Sequence, residues 1–206
     1  MLQTGIILLA LCLSVTAGAE TEWLIPRPVT RQTPSSISTP QQDCHYQQQL
    51  VLARQGHAEN QYQVALCYYY GLSVAANAQK ALHWLQQAAA QKHTKAMFQL
   101  AEFYNRQDKY YAPALAMEWY KQAAKAEYIP AQVRMAEMYV QGAGVPKDYV
   151  EAYTWFSLAE MFNADAESLR GSIHRQRQAL AQKMTPQQIE RARQKISLLL
   201  QTKSIQ

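Results

Sequence analysis

KALHWLQQAAA, Lys80 to Ala90, is written three times in this chain. It returns as LAMEWYKQAAK from Leu115 and, more loosely, as VEAYTWFSLAE from Val150. Each copy sets one Ala three residues before a Trp and another four residues after it. Trp84, Trp119 and Trp155 are thus 35 and 36 residues apart. That period belongs to stacked helical repeats, in which each unit buries its apolar face only against the next copy. The expected fold class is all-α.

A second helix precedes each copy. Val64-Ala65 with Tyr68 recurs as Leu100-Ala101 with Tyr104 and as Met135-Ala136 with Tyr139. Positions i, i+1 and i+4 share one helical face, so these residues form an apolar seam. In the following helix Ala81, Trp84 and Ala88 pack back on that seam, as do Ala116, Trp119 and Ala123, then Ala152, Trp155 and Ala159. The first helices (A helices) are expected at about 58–70, 94–106 and 131–141, within repeats at about 58–93, 94–128 and 129–163. Gly71 and the GAGVPKD loop from Gly142 supply turn chemistry between the helices of a pair. The second loop, from Gln107, lacks Gly and is one residue shorter, and Asn105 is the candidate left-handed residue there.

The flanks read differently. Residues 1–19 carry no charged side chain and an apolar run from Ile6 to Val15, with Ala17-Gly18-Ala19 following. The run is too short to span a bilayer, and the pattern is that of a secretory leader cut before Glu20. Leu11 stands where a lipobox needs a small residue, which argues against lipid attachment at Cys12. Residues 20–42 hold four of the eight prolines and few large apolar side chains. They are expected to form an extended arm, because too little surface can be buried to offset the entropy of ordering it. From Asp43, read as an N-cap, a half-repeat helix ends at Gly56 and covers the first full repeat. After the third repeat, 164–206 form a two-helix cap. Its second helix opens with Thr185-Pro186-Gln187-Gln188, a capping box, and it closes the apolar end of a solenoid.

These residues, with GHAENQYQVALCYYYGLSV from Gly56, MYVQGAGVPKDYVEAYTWFSLAE from Met138 and KMTPQQIERAR from Lys183, resemble the Sel-1-like repeat proteins. That family is a subclass of the tetratricopeptide-like solenoids. The resemblance implies a right-handed solenoid of antiparallel helix hairpins that acts as an adaptor or scaffold, usually without catalysis, and the leader makes the expected place the cell envelope, periplasmic or secreted. In such solenoids the A helices line a concave groove for a protein or peptide. Residues pointing away from the seam are then the candidate contacts: Tyr62, Leu66, Tyr69, Tyr70, Phe98, Glu102, Asn105, Arg106 and Glu137. Tyr and Arg suit interfaces because they combine large buried area with a polar end. Tyr62 and Phe98, with Val133, also fit a core position. Two other readings are kept: a protein that binds or weakly modifies peptidoglycan, and a self-associating structural protein.

Motifs that carry chemistry are sparse. No HExxH, GxSxG, phosphate-cradling Gly loop or CxxC occurs, and no two of the five histidines lie at i, i+4. No catalytic residue, metal site or cofactor is expected. The net charge of +5 comes entirely from Asp165 onward, where eight Lys or Arg meet three Asp or Glu. An exported chain seldom meets nucleic acid, so none is expected as a partner. At most, weak contact of this tail with anionic surfaces is expected. No transmembrane span follows the leader. With the leader removed, Cys44 and Cys67 remain. An antiparallel hairpin about Gly56-His57 brings them near each other, which predicts a Cys44–Cys67 disulfide in an oxidising compartment.

Overall fold

The computed structural model describes residues 40–106, 108–162 and 167–203, with 40–45, 108, 167, 168, 202 and 203 as backbone only. The leader and most of the arm lie outside the described residues. The helices are α1 (Pro40–Arg54), α2 (Ala58–Tyr70), α3 (Ala78–Ala90), α4 (Thr94–Arg106), α5 (Pro113–Lys125), α6 (Ile129–Gln141), α7 (Tyr149–Phe162), α8 (Glu167–Ala181) and α9 (Pro186–Lys203). No strand occurs among the described residues. The pairs α2/α3, α4/α5 and α6/α7 pack as hairpins, and α3 and α5 each pack onto the next hairpin's first helix. This is an all-α solenoid of three helix-hairpin repeats.

The small residues of the repeated stretch make the stacking close. Ala81, Ala88, Ala116, Ala123, Ala152 and Ala159 have no exposed surface, and with only a methyl group at the contact, helix axes approach toward the short end of the usual ~8–10 Å range. The large side chain that fills the interior is the one after each Trp. Leu85, Tyr120 and Phe156 are fully or almost fully buried, and burying a side chain of this size contributes about 1.5–3 kcal/mol. Trp84, Trp119 and Trp155 lie half-buried against the same core.

Each hairpin turn is tied at the seam tyrosine. The carbonyls of Tyr68, Tyr104 and Tyr139 accept hydrogen bonds from the N–H groups of Asn77, Ala112 and Asp148 at 2.8, 2.8 and 3.0 Å. The second turn is shorter because it uses a 3₁₀ turn, Asp108–Tyr110, in place of a glycine loop. Asn105 therefore stays helical inside α4, and no left-handed residue is needed there. In the third turn Gly144 has φ of +72°, and a Cβ at that position would lie 2.4 Å from the carbonyl carbon of Pro113. The loop thus rests its backbone directly on the start of α5.

Both ends of the stack are covered. Helix α1 begins at Pro40, three residues before Asp43, because Pro is tolerated in a first turn whose N–H groups lack helical partners anyway. It lies antiparallel on α2, with Tyr46 Oη donating to Tyr68 Oη at 2.9 Å and Gln61 Nε2 donating to the Ala53 carbonyl at 3.2 Å. At the other end α8 and α9 both pack on α7, burying Ile173, Leu180 and Ala192 with Phe156 and Ala159. The capping box forms in full: Thr185 N–H donates to Gln188 Oε1 at 2.8 Å, and Gln188 N–H donates to Thr185 Oγ1 at 3.2 Å. No helix among the described residues is long and apolar enough to cross a membrane.

Candidate functional site

Because the seam occupies one side of each A helix, the opposite side is set by the same spacing. On α4 the residues farthest from Leu100 and Ala101 are Lys95, Gln99, Glu102 and Arg106, at 4-3-4 intervals. Their counterparts are Glu59, Gln63, Leu66 and Tyr70 on α2, and Pro130, Arg134, Glu137 and Gln141 on α6. Three stacked helices therefore present a face of four rows, each row one residue from every repeat.

The centre of this face is an ion-pair network. Glu102 is buried, and its Oε1 accepts from Tyr120 Oη at 2.5 Å and from Arg134 Nε at 2.9 Å. Arg106 Nε lies 2.8 Å from the other oxygen, close enough for ion pairing though out of line for a hydrogen bond. Arg134 Nη1 also donates to Glu137 Oε2 at 2.9 Å. Burial disfavours the Arg134 charge, but the neighbouring carboxylates Glu102 and Glu137 outweigh it and raise its pKa. Burial, reinforced by the charge and hydrogen bond of Glu102, holds the Tyr120 hydroxyl protonated far into alkaline pH.

One end of the face is aromatic and polar. The Tyr62 ring packs on His93 at 5.1 Å. His93 Nδ1 accepts the Ala96 N–H at 3.1 Å and so caps α4, which leaves the ring proton on Nε2, 2.8 Å from Glu59 Oε2. The bond from Gln63 and that from His93 lower the Glu59 pKa. Burial pushes the Tyr62 hydroxyl up to about 12, with nearby Tyr128 and Tyr70 adding to it. At the other end Tyr69 and Tyr70 meet edge-to-face at 4.9 Å, and Tyr69 packs on Phe103 at 6.1 Å.

The expected contact residues therefore divide. Leu66, Tyr70, Arg106 and Glu137 lie on the four-row face, and Tyr62, Tyr69 and Asn105 are half-buried beside it. Phe98 is buried between Tyr120 and Tyr128, and Glu102 retains only 1% exposure. These two lie beneath the face, not on its surface. The row Gln63, Gln99 and Arg134 was missed by reading the fifth position of each A helix instead of the sixth. The signal was present: Arg134 is the one charge of α6 able to answer Glu102, one repeat away.

Among the described residues Cys67 has no disulfide partner, and burial raises the pKa of its half-buried thiol; the Cys44 side chain lies outside the described residues. No cluster of three metal-ligating side chains occurs among the described residues.

The fold and face define a helical-repeat protein of the solenoid class. Its three hairpins match the Sel1 repeat at residues 58–93, 94–128 and 129–161, and the chain belongs to the Sel1 repeat family. Among curated proteins, none matches. Among solved structures it is similar to a Sel1 repeat protein from Oxalobacter formigenes, at 23% identity and a TM-score of 0.54, over 57% of this chain and 47% of that one. It is also similar to c5321, a protective antigen of uropathogenic Escherichia coli strains with an SLR fold, at 23% identity and a TM-score of 0.43, over 76% of this chain and 40% of that one. The chain spans less than half the length of either matched structure.

Proposed function

We propose that this protein is a non-catalytic interaction scaffold of the cell envelope, and that the open face of α2, α4 and α6 receives a segment of a partner protein. One observation carries the reading. Three helices present Leu66, Tyr70, Arg106 and Glu137 on two adjoining rows, and a buried network beneath them holds Arg106 and Glu137 in place. Rigid support of this kind lowers the entropy lost when a partner is bound. Tyr and Arg are the residue types on which binding energy concentrates. Envelope localisation rests on the leader-like residues 1–19.

Site-specific photocrosslinking in intact cells tests it. A crosslinker at Leu66 or Tyr70 should capture a defined protein, and one at Gln87, exposed on α3, should not. Capture from Gln87 alone would move the working surface to the second helices. Crosslinks to cell-wall fragments alone would favour the peptidoglycan reading.

A further inference from the structure

The charges of the A helices are unequally committed. Their three carboxylates are Glu59, Glu102 and Glu137, and their three cationic side chains are Lys95, Arg106 and Arg134. Every carboxylate is engaged internally: Glu59 by Gln63 and His93, Glu102 by Tyr120, Arg134 and Arg106, and Glu137 by Arg134. Arg134 is spent on two of them. Lys95 is exposed and makes no ion pair among the described residues, although it lies close enough to Glu59 to help lower its pKa. Arg106 reaches Glu102 through Nε while its side chain stays 40% exposed. Glu59 keeps 57% of its side chain exposed in the same row as Lys95, so the charges this face offers most openly to solvent are Lys95, Arg106 and Glu59, a net single positive charge.

The geometry sharpens this. Lys95 and Arg106 stand on the same stripe of α4, eleven residues apart, which is about 16 Å along a helix. Between them Gln99 is buried, and its Nε2 donates to no acceptor. The stripe is thus a line of donors: an ammonium, an amide held just beneath the surface, and a guanidinium. An extended chain advances about 3.3 Å per residue, so about five residues cover the same span.

Resting on the proposed role of this face, we infer that its partner is an acidic extended peptide whose two carboxylates, about five residues apart, meet Lys95 and Arg106. The Tyr62 and Tyr70 rings flank that line and take the apolar side chains between the two acids. Peptides of the opposite sign are rejected by the same two cations.

Calorimetric titration of the purified protein with four peptides tests the inference. GSDAYPADSG carries the two acids at the inferred spacing, and GSAYDDPASG has the same composition with the acids adjacent. GSNAYPANSG is neutral and GSKAYPAKSG basic. The first should bind, and the second and third should bind about tenfold more weakly or worse. The fourth should not bind. Lys95→Gln and Arg106→Gln should each weaken the first peptide by about tenfold, and raised salt should weaken it further. Lys95 lies outside the buried network, so its variant reports on charge without disturbing the fold. Equal binding of the acidic and neutral peptides, or unchanged binding by Lys95→Gln, overturns the inference. So does absence of binding by all four, while the photocrosslinking experiment decides the role of the face separately. Binding of the neutral or basic peptide that is lost in Tyr70→Ala would keep the face and discard the acidic partner.

Discussion

Glu102 on α4 and Arg134 on α6 are joined at 2.9 Å across neighbouring repeats, and the carboxylate has almost no exposed surface. A buried charge is tolerated only while it is paired, and removing one partner strands the other. Glu102→Ala leaves Arg134 Nε and the Tyr120 hydroxyl without their acceptor and Arg106 without its ion-pair partner, and should destabilise the chain by about 3–5 kcal/mol. Arg106→Ala removes only the outer pair and should cost about 1 kcal/mol. Denaturant titration of both variants checks the order. Equal losses would mean that the network is not divided into an inner and an outer part.

The half-repeat helix supports a second prediction. The Tyr46–Tyr68 and Gln61–Ala53 bonds fix an antiparallel register that sets Cys67 opposite Gln47, one turn from position 44. Oxidation should join Cys44 to Cys67 and pin α1 to α2, with a stabilisation of about 2–4 kcal/mol. The intact mass of the oxidised chain should rise by two protons on reduction. A mass unchanged by reductant discards the bridge.

Much of the fold was legible because the information is periodic. Ala81, Ala88 and their equivalents fixed both the helix pairing and the repeat length, since only small residues permit that approach. The capping box at Thr185 was readable because its geometry is local. What stayed hidden depends on contacts between repeats. Glu102 looked like a surface carboxylate within its own helix, and only Arg134 from the next repeat and Tyr120 from the paired helix show why it is buried. Tyr120 itself was masked by Trp119, whose conspicuous spacing drew the core assignment one residue away from the side chain that fills the interior. The second turn's lack of glycine was visible, but not that a 3₁₀ turn would carry it in place of a left-handed Asn105.

The tyrosines give a pH dependence with a definite sign. Burial pushes Tyr62 up to about 12, whereas an unfolded tyrosine ionises near about 10. The folded state therefore keeps a proton that the unfolded state has released. The corresponding stability is fully present below about pH 10 and is lost as pH rises toward about 12. Tyr120 acts in the same direction, through burial first and Glu102 second. Denaturant midpoints should fall between about pH 10 and about pH 12, and Tyr62→Phe should remove part of that fall. An alkaline profile unchanged in Tyr62→Phe would assign the loss to other groups.

Two turns of related geometry should respond oppositely to substitution. Gly144 and Ser73 both follow the glycine that ends an A helix by two residues, and their φ values are +72° and +59°. A Cβ at Gly144 would strike the Pro113 backbone at 2.4 Å, and backbone cannot move aside as a flexible side chain can. Gly144→Ala should therefore cost about 2–4 kcal/mol, from left-handed strain together with the clash. Ser73 already carries a Cβ and is exposed, so Ser73→Gly relieves the strain and should gain at most about 1 kcal/mol, offset in part by a freer unfolded chain. The asymmetry arises because the third turn rests on the preceding repeat, whereas only the single helix α1 precedes the first. Thermal denaturation of the two variants measures it directly. A Gly144→Ala variant as stable as the parent would show that the loop can lift from α5, and that the contact between repeats at Pro113 contributes little to the stack.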